Sequence, residues 1–147
     1  MIRKRAVSVI AGSPLFLYTE IRGDTLYIHY NGNPCGKSNG DCVIRAISIA
    51  TGKAWYQVYA GLSVQGRFEC GWGNFNEVWS DYLLYLGFSR HGLPYNPRYT
   101  VGDFAADHPH GTYILGTGKH AVAVVDGDVI DSWDSRGEIP RYYFVKE

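Results

Sequence analysis

The sequence predicts an α+β domain, and three observations carry that expectation. Residues 74–86 place Phe75, Val78, Trp79, Tyr82, Leu83 and Leu86 on one helical stripe, stopped by Gly87. Residues 112–145 contain four short β-type runs, two of them joined by Asp126-Gly127, a strong type I′ hairpin signal. The main helical patterns come before these strands instead of alternating with them. An N-terminal helical lobe followed by a C-terminal antiparallel β-sheet lobe is therefore expected. With 147 residues, no repeat and no linker, a single domain over 1–147 follows.

Taken in order, residues 6–10 and 15–21 read as short strands split by Gly12-Ser13-Pro14. Arg22-Gly23-Asp24 reads as a turn, and residues 25–30 alternate like a further strand. Arg3-Lys4-Arg5 ahead of an apolar run imitates a secretory leader. That run is short and broken, and no small-x-small cleavage site follows, so a first strand is the better reading. Residues 31–40 form a polar loop with almost nothing to bury, the kind of segment that carries function.

A helix then begins near Cys42, with Val43, Ala46, Ile47 and Ala50 at helical spacing. Asp41 or Asn39 is its expected cap and Gly52 its end. A second helix is expected over 53–62, with Trp55, Val58, Tyr59 and Leu62 on one face, followed by a Gly-rich loop over 66–73 that holds Cys70. Residues 89–99 read as an irregular crossing segment. Thr100-Val101-Gly102-Asp103 has the form of a capping box opening a short helix to about 107. Strands are expected over 112–115, 120–125, 129–133 and 141–145.

Composition excludes several function classes. Fourteen basic residues balance fourteen acidic ones, so no bulk attraction to nucleic acid or anionic lipid is implied. No apolar run is long enough to span a membrane. Three cysteines, an odd number, argue against a disulfide framework and for a reducing, cytoplasmic setting. Neither CxxC nor HxxxH spacing occurs, so Cys35, Cys42, Cys70, His108 and His110 do not read as a metal set. No GxGxxG follows a strand and no phosphate-binding P-loop is present, so neither metal nor cofactor is expected. Cys35 and the segment His108-Pro109-His110 read as loop and exposed turn.

The chemistry concentrates at Cys42. A thiol at the start of a helix sits at the positive end of the helix dipole, which favours the nucleophilic thiolate. On its own, a small buried cysteine on an apolar helix is the better reading. A nucleophile also needs a base and a group that orients the base. His120 opens a strand, and the return strand ends Asp131-Ser132-Trp133-Asp134-Ser135. A two-residue turn at Asp126-Gly127 sets Val124 opposite Val129, Val122 opposite Asp131 and His120 opposite Trp133. His120 and Asp131 then share a face as diagonal neighbours. A three-residue turn would instead bring Asp134 opposite His120. The Asp-Gly pair favours the first register and Asp131. Trp133 reads as a lid over the His–Asp bond or as core.

Cysteine at a helix start, histidine at a strand start and an acid at the end of the next strand is a chain order that resembles the papain-like cysteine peptidases. The strings His120-Ala121-Val122 and Asp131-Ser132-Trp133 resemble the family's His-Ala-Val and Asn-Ser-Trp, with Asp131 in place of Asn. Gly40-Asp41-Cys42 resembles its Gly-x-Cys, and also the Asp-Cys start of bacterial peptidases that remove double-glycine leaders. The resemblance implies a papain-like fold with Cys42 as nucleophile, His120 as general base and acid, and Asp131 as orienter. The family's oxyanion-binding Gln has no counterpart, its place being taken by Gly36. The backbone N–H of Cys42 with Asn39 or Ser38 is expected to serve instead.

The implied function is a thiol hydrolase cleaving a peptide or isopeptide amide bond in a protein or peptide substrate. Transglutaminases and glutamine deamidases use the same triad, and an inactive papain-fold binding module is a third alternative. The short architecture suits a phage or bacterial accessory protein.

Overall fold

A computed structural model describes residues 25–146 throughout and residues 5–10, 13–17 and 21–22 as strand backbone. The elements in chain order are β1 (Arg5–Ile10), β2 (Ser13–Leu17), β3 (Ile21–Arg22), β4 (Thr25–His29), α1 (Cys42–Thr51), α2 (Trp55–Glu69) and α3 (Asn76–Tyr85). They continue with β5 (Phe88–Gly92), α4 (Val101–Asp107), β6 (Thr112–Gly116), β7 (Ala121–Val125), β8 (Asp128–Asp131) and β9 (Tyr142–Lys146). The break expected at Gly12 and the Gly23-Asp24 part of the expected turn lie outside the described residues.

β1 and β2 pair with each other in a small antiparallel sheet. The main sheet runs β3-β4-β8-β7-β6-β9-β5. The domain is α+β, as its patterning predicts, but the main sheet is mixed where a wholly antiparallel one is expected. β4 runs parallel to β8, with Tyr27 opposite Val129, Ile28 opposite Ile130 and His29 opposite Asp131. That pairing joins segments about a hundred residues apart, and no local pattern announces it.

The sheet is buried on both faces. Alternation sends Ile114, Ala121, Ala123 and Ile130 into a core with α1, α2 and α3. The alternate residues Leu115, Val122, Val124 and Val129 pack with Val101, Phe104 and Ala105 of α4. This double burial is why β7 reads as an uninterrupted apolar run instead of alternating with polar residues. Trp79, Leu83, Phe144 and Ile47 anchor the first core, none more than 2 % exposed.

Several boundaries move for physical reasons. α2 extends to Glu69, well beyond the expected 62. Gly66 costs intrinsic helicity, yet it lets the helix lie against the backbone of Gly71, a tertiary contact that outweighs propensity. β5 forms where an irregular segment is expected, because β9 supplies a full antiparallel ladder from Phe88↔Lys146 to Gly92↔Tyr142. Thr100 and Asp103 make the expected capping box on α4, with Thr100 Oγ1 accepting from Asp103 N at 3.2 Å and Asp103 Oδ2 accepting from Thr100 N at 2.8 Å. Among the described residues no helix is long and apolar enough to cross a membrane.

Candidate active site

α1 begins at Cys42 itself, so the N–H groups of its first turn have no acceptor within the helix. Gly52, at φ 73°, closes the other end of the helix. Asp41 occupies the N-cap position without capping by its side chain. Its carboxylate is buried and committed elsewhere. Oδ2 accepts from Asn33 Nδ2 at 2.9 Å and from Trp55 Nε1 at 3.0 Å. Those bonds tie the polar loop and the first turn of α2 to the residue just before the thiol.

The β7–β8 hairpin has the register that a two-residue turn requires, with Val124 opposite Val129 and Ala123 opposite Ile130. Asp126 at φ 48° and Gly127 at φ 79° supply the two left-handed residues of a type I′ turn. His120 Nε2 lies 2.5 Å from Asp131 Oδ2. Asp131 is held on every side: Ser135 Oγ donates to Oδ2 at 2.6 Å, and Ser132 N donates to Oδ1 at 2.7 Å. Asp134 points away, its carboxylate bonded to Arg136 Nε at 2.8 Å and Nη2 at 2.7 Å. Asp131, not Asp134, is the acid that meets His120.

The His120 ring and the Ala121 N–H are the groups whose hydrogen-bonding influence on the Cys42 sulfur favours its thiolate. Nε2 is committed to Asp131, which leaves Nδ1 as the ring nitrogen outside that bond. Burial pushes the Cys42 thiol up, but the His120 and Ala121 hydrogen bonds and the charges of His120 and Arg45 outweigh it and bring its pKa below the ordinary thiol value. Burial likewise pushes His120 down, while its bonds to Asp131 and Cys42 and their charges raise it to about 9. Both shifts run in the direction that favours a thiolate beside an imidazolium. Trp133 is 44 % exposed and leans on His120, ring centroids 5.0 Å apart and planes at 48°, so it is not core.

Three features of the site escape local sequence reasoning. Arg45, on an apolar-periodic helix, is 5 % exposed and donates to Ser132 Oγ. Asn33 anchors the loop through Asp41, and Ser135 braces Asp131. An acidic residue followed by two serines in the string Asp131 to Ser135 is the one signal that hinted at the brace.

Ser38 and Asn39 are exposed in the loop ahead of α1, and Gly36 occupies the loop with φ 67°. Cys35 and Cys70 are free and exposed. His110 is exposed, but His108 is half-buried, stacked on Phe104 with ring centroids 3.8 Å apart, so it is not the exposed turn residue expected. Among the described residues, no three His, Cys, Asp or Glu side chains gather as a metal site. A groove of about 600 Å³ opens beside the first turn of α1, bounded by Gly40, Val43 and Ile44 and walled by Tyr59, Trp72 and Phe75. No protein-family model, curated protein or solved structure matches this chain.

Proposed function

We propose that this chain is a cysteine-dependent hydrolase of papain-like architecture that cleaves an amide bond in a peptide or protein. The observation that carries the reading is His120 Nε2 held 2.5 Å from Asp131 Oδ2, with the same imidazole and the Ala121 N–H drawing the Cys42 thiol toward its thiolate. In the reaction the Cys42 thiolate attacks the carbonyl carbon. As the tetrahedral adduct collapses, the C–N bond breaks, the His120 imidazolium protonates the departing amine, and a thioester remains. Water then gives a proton to His120 and adds to the thioester, releasing the acid and restoring the pair.

Asp131 keeps the imidazole in one orientation and stabilises its charged form. The backbone N–H of Cys42, unused by the helix, is one donor to the oxyanion, and Asn39 or Ser38 is the second. The groove beside α1 favours a substrate with a bulky apolar side chain near the scissile bond, because its walls are aromatic and aliphatic.

The test is labelling with a thiol-directed, peptide-like acyl probe. Cys42 should label far faster than Cys35 and Cys70, and Cys42→Ala and His120→Ala should abolish the fast phase. Equal labelling of all three thiols, or labelling indifferent to the loss of His120, defeats the reading. Product masses then separate backbone cleavage from deamidation and from crosslinking to an amine, since water or an amine can resolve the same acyl-enzyme.

A further inference from the structure

We propose that Arg45 is a positioning residue of this site: its buried guanidinium locks the first turn of α1 to the end of β8 and so sets the Cys42 sulfur against the His120–Asp131 pair. The inference rests on the reading of Cys42, His120 and Asp131 as the reacting groups.

Cys42 and Arg45 are three residues apart on α1, so they stand one turn apart on the same helix face. Arg45 is only 5 % exposed, a costly place for a charge unless it is paired. Two anions flank it. Its Nε lies 3.0 Å from Asp41 Oδ1, and its Nη1 lies 4.0 Å from Asp131 Oδ1. Nη1 also donates to Ser132 Oγ.

The orientation of the fork is informative. Asp41 is the ready helical neighbour, four residues back, yet Nε and Asp41 Oδ1 meet without hydrogen-bond alignment. The fork is turned instead toward Ser132, the residue after the acid that holds His120. The guanidinium thus bridges two segments otherwise distant in the chain, the cap of α1 and the end of β8. The first carries Cys42, and the second carries Asp131, the acid that holds His120. Asp41 is itself fastened to Asn33 and Trp55, so the bridge is anchored at its far end.

The charges meeting here are Asp41 and Arg45 at the start of α1, His120 just ahead of β7 and Asp131 at the end of β8. On β9, Tyr142 feels the Cys42 charge, with Arg90 and Glu77 beside it. Arg45 is the cation that offsets the two buried carboxylates, and its charge also favours the Cys42 thiolate. Losing it loosens the placement of the sulfur and strips the thiolate of a cation together.

The experiment measures the pH dependence of Cys42 alkylation by iodoacetamide in the wild-type chain and in Arg45→Lys, Arg45→Met and Ser132→Ala, with thermal melting of each. Arg45→Met should shift the Cys42 profile upward by about one pH unit, about tenfold less thiolate at pH values below the wild-type midpoint. Arg45→Lys should restore part of the charge effect but not the reach of Nη1 to Ser132 Oγ, falling between the two. If Arg45→Met does not fold, Ser132→Ala decides, because it removes only the contact with β8 and should slow alkylation while melting near the wild type.

An unmoved profile in the folded Arg45→Met, or in Ser132→Ala where that variant decides, overturns the proposal. A wild-type Cys42 that titrates like a free thiol overturns the hydrolase reading instead. A depressed wild-type profile that ignores Arg45 removes only the positioning role.

Discussion

His120 Nε2 and Asp131 Oδ2 meet at 2.5 Å although eleven residues separate them in the chain. One hairpin brings them together, and its register depends on two left-handed residues, Asp126 and Gly127. The contact consumes Nε2 and leaves Nδ1 outside it. This is the geometry that turns an ordinary imidazole into a base raised to about 9.

Removing the base should cost what general acid–base catalysis usually supplies. His120→Ala is expected to lower amide turnover about 10²–10⁴-fold. Steady-state kinetics on a peptide amide, with circular dichroism to show that the fold survives, checks it.

The pH profile of turnover should be bell-shaped. Below the lowered Cys42 pKa the thiolate takes up a proton and the nucleophile is lost, which sets the acid limb. As pH rises through about 9, His120 gives up its proton and the leaving amine loses its acid, which sets the alkaline limb. Asp131→Asn withdraws the main influence holding His120 up, so the alkaline limb should move toward neutrality. A limb that stays in place in this variant would show that Asp131 does not tune His120.

Trp133 packs against the His120 ring, centroids 5.0 Å apart, while remaining 44 % exposed. Trp133→Ala should therefore lower turnover several-fold by admitting water to that bond, yet change stability by only about 0.5 kcal/mol. A large fall in melting temperature would instead make Trp133 a packing residue.

The groove beside α1 can be probed from its wall. Phe75 is 48 % exposed, so truncating it has little to take from the core. Phe75→Ala should reduce kcat/KM about tenfold for peptides with a bulky apolar residue near the scissile bond and leave small-residue peptides nearly unaffected. Paired fluorogenic peptide amides read the ratio directly.

Gly66 tests the frame of that groove. A Cβ there would collide with the carbonyl oxygen of Gly71, a backbone atom that cannot swing aside. Gly66→Ala should destabilise the domain by about 1–3 kcal/mol, measured by denaturant titration, despite the better helix propensity of alanine.

Much of the site was legible in the chain because its signals are local. A polar loop meeting an apolar helix marks Cys42, and Asp126-Gly127 fixes the hairpin register that separates Asp131 from Asp134. Arg45 was not legible. A helix with Val43, Ala46 and Ile47 buried invites the reading that the arginine between them faces water, and only the carboxylates of Asp41 and Asp131 make its burial tolerable. Asp41 looked like a cap for the same reason: its neighbours in sequence say nothing of Asn33 and Trp55, which claim its oxygen.

By itself, then, the sequence determined the α+β class, the helix start at Cys42, the hairpin register and the pairing of His120 with Asp131. Tertiary structure alone decided that β4 joins β8 in parallel, that β5 closes the far edge, and that an arginine lies buried behind the thiol. The division follows the range of the forces. Turn geometry and periodicity act over a few residues and leave their mark in the order of amino acids. Strand pairing across a hundred residues and the balancing of buried charge exist only once the chain has folded.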